Sequence, residues 1–145
     1  MRRFSQMMCL VLVFVTILSV SAYAAESPSP RASNFFGASS VYFWHVSGSS
    51  YQIWFDVTAV GTMQKLGCSQ IRVQRSKDEV NWSTVKTYDM DDYSQMTATN
   101  TTRHSGCVSY TATSGYSYRA IVTLYAKNNS GTGEMDEQTA ILDLR

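Results

Sequence analysis

A strict alternation of apolar and polar residues in two segments limits most strongly how this chain can fold. Apolar side chains occupy every second position of the segment 51–60, and the segment 116–127 repeats the pattern. A period of two is the side-chain period of a half-buried β-strand. The sets predicted to face the core are Tyr51, Ile53, Phe55, Val57 and Ala59 in the first segment, and Tyr116, Tyr118, Ala120, Val122, Leu124 and Ala126 in the second.

The rest of the chain also favours strands over helices. Valine, isoleucine, threonine and tyrosine are frequent, and stretches typical of helices are missing. Further strands are predicted at 41–46, 71–75, 83–88, 106–113 and 138–144, with turns between them. The sequence therefore predicts an all-β fold: a single antiparallel two-sheet β-sandwich of about seven strands over residues 39–145, preceded by a flexible lead at 25–38 that contains both prolines.

Residues 1–24 have the organisation of a cleaved secretory signal peptide. Arg2 and Arg3 supply the positive start, an apolar run follows, and Ala22-Tyr23-Ala24 forms a small-x-small cleavage site. The run extends over about 12 residues, whereas a membrane-spanning helix needs roughly 20. We therefore expect cleavage after Ala24 or Ala25, a secreted or surface-associated protein and no membrane insertion after cleavage.

The net charge after cleavage argues against two classes of partner. The full chain has 12 basic and 11 acidic residues. Loss of Arg2 and Arg3 leaves 10 basic residues against 11 acidic ones, a net charge of −1. Nucleic-acid binding needs a positive face for the phosphates, and attraction to anionic lipid needs a basic tract. We expect neither nucleic acid nor an anionic bilayer as a partner.

Cysteine usage depends on the compartment. Cys9 is removed with the signal, so Cys68 and Cys107 remain. An even pair in an exported protein is typical of one disulfide bridge, and we predict Cys68–Cys107. A zinc site would need more ligands than these cysteines and the two histidines bring together, and a redox pair is usually close in sequence.

Two segments resemble fibronectin type III-like domains, which belong to the immunoglobulin-like β-sandwiches. The first, which is similar to their C–C′ hairpin, comprises Ile71, Val73, Arg75, Ser76, Asp78, Asn81, Trp82 and Val85. The second, which is similar to their F strand and F–G turn, comprises Tyr116, Tyr118, Arg119, Ala120, Asn128, Gly131 and Gly133. The resemblance implies a β-sandwich in which the hydroxyl of Tyr116 bonds back to the backbone as a tyrosine corner.

Three further segments resemble a family of small exported proteins of Gram-positive bacteria that is known as a domain of unknown function. These segments are 56–63, 66–68 and 104–108. The resemblance implies a secreted or surface-associated protein with one disulfide bridge, and it implies nothing about activity.

The candidate catalytic and metal-binding residues are few. His45 and His104 are the two histidines, and no Gly-x-Ser-x-Gly sequence accompanies them, so a hydrolase is the weakest hypothesis. The acidic runs 89–92 and 134–137 could supply oxygen ligands to calcium, but their spacing is not that of an EF-hand. We expect no enzyme activity, no cofactor and no bound metal.

The tryptophans are the candidate ligand-binding residues. Trp54 alternates with the predicted core set of its strand and so points outward, and Trp44 precedes it on the neighbouring strand. Exposed aromatic rings can stack on sugar rings, although a neighbouring strand or the lead could cover Trp54 instead. We expect a monomeric, non-enzymatic extracellular interaction module for an unknown protein or surface component. The alternative is a carbohydrate-binding module that uses Trp54 or Trp44 to bind a surface glycan.

Overall fold

The computed structural model describes residues 34–145. The predicted signal peptide at 1–24 and most of the predicted lead at 25–38 lie outside these residues. The end of that lead is already part of the fold, because the first strand begins at Phe36 and the Phe36 side chain is buried. Within the described residues, no helix is both long and apolar enough to cross a membrane.

The fold is all-β, as the sequence predicts. Within the described residues, seven strands alternate with short turns, and a 3₁₀ turn at Ser94–Met96 precedes the fourth strand. The strands are β1 (Phe36–Ser47), β2 (Ser50–Ser76), β3 (Ser83–Asp89), β4 (Thr97–Thr111), β5 (Ser117–Asn128), β6 (Gly131–Gln138) and β7 (Leu142–Asp143).

All seven strands belong to one antiparallel sheet, which curls into a half-barrel. The predicted division into two separate sheets is not confirmed, because β2 runs unbroken for 27 residues and pairs with four other strands. The amino-terminal part of β2 lies between β1 and β4, and its carboxy-terminal part lies between β3 and β5. β5 continues the sheet to β6 and pairs with β7 at its first residues.

The segment 61–67, which its two glycines predict to be a loop, is the middle of β2. Gly67 has a φ of +153°, and its backbone lies against Met96 and Thr97. A β-carbon at this position would overlap the carbonyl oxygen of Met96 and lie 2.8 Å from the Cα atom of Thr97. The glycine therefore permits a close approach between two backbones within the sheet, which is a frequent role of glycine inside a strand.

The concave side of the curled sheet holds one apolar core. The alternation predicted for 51–59 is confirmed, since all five side chains of that set are buried. The set predicted for β5 is also buried, except that Tyr116 precedes the strand and is half-buried. Both regions of β2 contribute to the same cluster, and Phe36 of β1 and Val108 of β4 complete it.

The predicted Cys68–Cys107 bridge is not formed, and both cysteines are free. Cys68 is on β2, where it lies opposite Leu124 of β5. Cys107 is on β4, where it lies opposite Trp54 of β2. Along β4, Cys107 lies ten positions from Thr97, the residue opposite Gly67. At about 3.3 Å per residue this is roughly 30 Å along the strand, whereas the two Cα atoms of a disulfide are about 5.5 Å apart. The register of β2 against β4 therefore keeps the two thiols apart.

Candidate functional site: an aromatic face on the outer side of the sheet

Both tryptophans singled out from the sequence lie on the outer side of the β1–β2–β4 region. Tyr42, Trp54 and Cys107 occupy one row across the three strands, and Trp44, Gln52 and Ser109 occupy the next row. Alternate residues of a strand share a face, so Tyr42 and Trp44 of β1 point to the same side as Trp54 of β2. We call Tyr42, Trp44 and Trp54 the aromatic face.

The rings of the aromatic face are accessible to different degrees. Trp44 is 59% exposed and Tyr42 is 43% exposed, while Trp54 is half-buried between its neighbours. The indole N–H of Trp54 donates a hydrogen bond of 3.1 Å to the side-chain carbonyl of Gln52. This bond leaves the amide nitrogen of Gln52 as a donor beside the rings.

Polar groups border the aromatic face on the row beyond Trp54. There Asp56 of β2 lies between Ser40 of β1 and Ser105 of β4. The Asp56 carboxylate accepts two hydrogen bonds from the Arg103 guanidinium, at 3.1 and 2.7 Å. The face therefore combines exposed rings with hydroxyl groups, an amide and a bidentate ion pair.

Cys107 lies on the same side of the sheet, beside Trp54, and is partly exposed. Desolvation raises the pKa of its thiol above the ordinary value. Cys68 is fully buried, and burial raises the pKa of its thiol to about 12, while the Cys68 Sγ contacts the carbonyl oxygen of Gln70 at 3.1 Å. Because thiolates are the reactive form of cysteine, neither environment activates a nucleophile.

The outer side of the β2–β5–β6 region has a different surface, which we call the paired face. Its polar side chains bond to one another across the strands. Arg72 bonds to Asp136 at 3.0 Å, Thr123 bonds to Asp136 at 2.6 Å, and Arg119 bonds to Gln74 at 2.8 Å. Such cross-strand pairs stabilise a solvated sheet face.

The two acidic runs come close to each other at one edge of the paired face. Asp89, Asp91, Glu134 and Asp136 line an open depression of about 440 Å³ together with Arg72. Three of these carboxylates already accept hydrogen bonds from protein side chains: Asp89 from Gln70, Glu134 from Ser69 and Asp136 from Arg72. Among residues 34–145, no group of three or more metal-ligating side chains is arranged to hold a metal ion.

Each of the two histidine rings contacts a backbone carbonyl. Nε2 of His45 lies 3.0 Å from the carbonyl oxygen of Gly48, and Nε2 of His104 lies 2.9 Å from that of Gln95. The His104 ring also packs against Phe55, with the two centroids 5.7 Å apart. The His45 contact lies within the β1–β2 turn, and the His104 contacts hold the turn before β4 against the sheet.

The tyrosine whose hydroxyl bonds back to the backbone is Tyr118, not the predicted Tyr116. The Tyr118 hydroxyl donates to the carbonyl oxygen of Thr113 and accepts from its N–H, both at 3.0 Å. The side chain of Tyr118 is 1% exposed, whereas Tyr116 stands at the surface beneath the guanidinium of Arg75. Tyr118 takes this role because β5 starts at Ser117, which leaves Tyr116 before the strand and makes Tyr118 the first inward aromatic residue of β5.

Tyr42 is the member of the aromatic face that the sequence did not reveal. The segment 41–46 is apolar and aromatic throughout, so its composition does not show which side faces the core. Residues two apart on a strand share a face, so an outward Trp44 would have placed Tyr42 outward as well.

Comparisons with known proteins identify no family. No protein-family model matches the chain, and no curated protein matches it. Among solved structures, the fold is similar to the crystal structure of Spo0M, a sporulation control protein from Bacillus subtilis, with a TM-score of 0.39 and 11% sequence identity. The match covers 71% of this chain and 49% of that chain, so this chain spans about half the length of Spo0M.

Proposed function

We propose that the protein is a secreted, non-enzymatic binding module whose aromatic face binds a carbohydrate. The observation that carries the proposal is the placement of Trp44, Trp54 and Tyr42 on one exposed side of two neighbouring strands. A partly exposed Trp54 beside polar side chains favours a sugar over a purely apolar partner. Secretion is also a proposal, and it is based on the signal-peptide pattern of residues 1–24.

The chemistry of the face fits a sugar chain. Sugar rings present C–H groups on one side, which pack on aromatic rings, and hydroxyl groups at their edges, which need polar partners. Tyr42 and Trp44 offer the rings on β1, and Gln52 and Ser109 offer an amide and a hydroxyl in the row of Trp44. Rigid strands hold all of these groups, so binding costs little conformational entropy.

A protein partner is the second candidate, supported by the apolar side chain of Val46. Val46 lies near the end of β1, two residues after Trp44, and is 50% exposed. Tryptophan and tyrosine are also the residues most enriched at protein–protein hot spots. The two candidates share the aromatic face and differ in the ligand that binds it.

The finer fold assignment, a fibronectin type III-like β-sandwich, is also a proposal. The pairing order supports it, since the carboxy-terminal part of β2 pairs with β3 as strand C would with C′, and with β5 as C would with F. β6 then follows β5 across a turn as G follows F. In this interpretation β2 is one continuous strand in the place of two separate strands of a β-sandwich.

A glycan-array screen of the purified protein tests the function, with Trp44→Ala, Trp54→Ala and Tyr42→Ala measured on every glycan bound. We expect specific binding that each variant weakens about five- to tenfold, because one aromatic contact is worth about 1–1.5 kcal/mol. Trp44 and Tyr42 are exposed, so their variants should fold normally.

Tyr125→Ala is the matched control for Tyr42→Ala, because Tyr125 points outward from the paired face. It should leave glycan binding unchanged. A protein that binds no glycan, or whose binding is weakened equally by Tyr125→Ala, would contradict the carbohydrate proposal. Capture of a protein partner that is lost in Trp44→Ala would then establish the second candidate.

A further inference from the structure

A second depression lies where β2 ends, and its lining includes no residue of the aromatic face. It has a volume of about 460 Å³ and lies between the end of β2, the turn 77–82, the start of β3 and Tyr116. Its cationic side chains are Arg75 and Lys77.

The two cations of this depression are held close together. The guanidinium carbon of Arg75 lies 4.5 Å from the centre of the Tyr116 ring, and Nζ of Lys77 lies 5.5 Å from the same point. Their separation therefore cannot exceed the sum of these distances, 10.0 Å. This upper limit is comparable to the Debye length of about 8–10 Å at 0.1–0.15 M salt, so salt does not fully screen the repulsion between the two charges.

Neither cation forms an ion pair with a carboxylate of the described residues. The ion pairs among residues 34–145 involve Arg72, Arg103 and Arg145, but not Arg75 or Lys77. The Tyr116 ring attracts both cations without cancelling their charge.

Asp78 is the carboxylate among the lining residues, and its oxygens are engaged within its own turn. One oxygen accepts from the Ser76 hydroxyl at 2.8 Å and from the backbone N–H groups of Val80 and Asn81 at 3.0 and 2.8 Å. The other accepts from the Asn81 amide at 2.7 Å. These bonds, led by those from Asn81, hold the pKa of Asp78 well below its usual range, so it stays ionised and bound to the turn.

Neutral donors complete the depression. The exposed side chains of Ser83 and Thr84 line its β3 side and carry hydroxyl groups. A guanidinium, an ammonium and hydroxyl groups around one open volume are the groups that bind oxyanions. We infer that this depression binds an oxyanion, a phosphate, sulfate or carboxylate group, between Arg75 and Lys77.

An NMR titration of the purified protein with inorganic phosphate, at constant ionic strength with chloride, tests the inference. We expect saturable shifts of the backbone amides of 76–84 and of Tyr116. Lys77→Gln should weaken phosphate binding about fivefold, since it removes a charge-assisted contact. Lys77 is exposed, so this variant should fold normally.

Lys127→Gln is the control, because it makes the same change in net charge at the opposite end of β5. It should change phosphate affinity by no more than about twofold, since the distance exceeds the screening length. Parallel titrations with sulfate and with acetate distinguish a tetrahedral from a planar oxyanion. Shifts that never saturate with any of the three anions would overturn the inference, as would equal weakening by Lys77→Gln and Lys127→Gln. Glycan binding by the aromatic face is measured separately, so failure of one proposal leaves the other standing.

Discussion

The aromatic face and the paired face lie on the outer side of one continuous sheet and share strand β2, yet their surfaces are opposites. On the paired face, Arg72 and Asp136 bond across the sheet, as do Gln74 and Arg119. On the aromatic face, the outward residues of β1 include Tyr42 and Trp44, which are 43% and 59% exposed. The polar side chains of the paired face bond mostly to one another, although Nε of Arg72 has no partner among the described residues, whereas the aromatic face presents rings to solvent.

This difference indicates where a partner gains most from binding. Covering exposed apolar area contributes about 25 cal/mol per Å², and contiguous exposed apolar patches often mark binding sites. Covering the paired face would instead break or desolvate surface ion pairs that are worth about 1 kcal/mol or less. A ligand of the β1–β2–β4 region therefore gains free energy where a ligand of the other region would not.

The largest effect should come from Gly67→Ala, because Gly67 lies where β2 passes from one region to the other. The added β-carbon would overlap the Met96 carbonyl, and the positive φ would be strained. We expect a loss of about 4 kcal/mol in the free energy of unfolding, measured by urea denaturation. Gly61→Ala in the same strand is the control, because its β-carbon would meet no atom within 4 Å. A small effect at Gly67 would mean that the two regions are not joined as described.

A smaller effect is expected from Tyr118→Phe, which tests the anchoring of β5 and so of the paired face. Loss of the two hydrogen bonds to Thr113 should cost about 1–2 kcal/mol of unfolding free energy. Tyr116→Phe should change stability by less than about 0.5 kcal/mol, because the Tyr116 hydroxyl makes no hydrogen bond with the described residues. Glycan binding should be unchanged in both variants. A larger loss of unfolding free energy in Tyr116→Phe than in Tyr118→Phe would instead support Tyr116 as the tyrosine corner, as the sequence predicted.

The sequence predicted the buried side of the sheet well, because alternation is a local property. The inward positions of the segment 51–59 and of β5 follow directly from the period of two. The same period identified Trp54 as an outward residue. It did not reveal Tyr42, because the segment 41–46 lacks polar residues that would break the symmetry between its two sides.

The predicted loop at 61–67 and the predicted disulfide were wrong because both depend on how distant strands align, and a local sequence pattern gives no information about that alignment. Gly61 and Gly67 are typical of the ends of a loop, although a lone glycine within a strand can equally indicate a close approach of another backbone. The predicted Cys68–Cys107 bridge rests on the number of cysteines, the expected compartment and the resemblance to the family of exported proteins. Its geometry depends on how β4 aligns with β2, and that alignment leaves the two residues on distant parts of the sheet.

The smallest effect, with no expected change in stability, is the difference in reactivity between the two cysteines. Cys107 lies beside Trp54 on the aromatic face and is partly exposed, whereas Cys68 is buried with a pKa of about 12. Since alkylation requires an accessible thiolate, iodoacetamide at pH 8 should label Cys107 slowly in the native protein and leave Cys68 unlabelled. Both should react in denaturant without any reductant.

Peptide mapping by mass spectrometry reads each cysteine separately, and Cys107→Ala is the control that removes the native label. Two cysteines that resist alkylation in denaturant until a reductant is added would instead demonstrate the bridge and refute the register of β2 against β4. A glycan bound on the aromatic face should slow the labelling of Cys107, because the thiol shares a row with Trp54 and Tyr42. An oxyanion bound beside Lys77 should not slow it. Labelling of this one thiol therefore reports which of the two surfaces a ligand has covered.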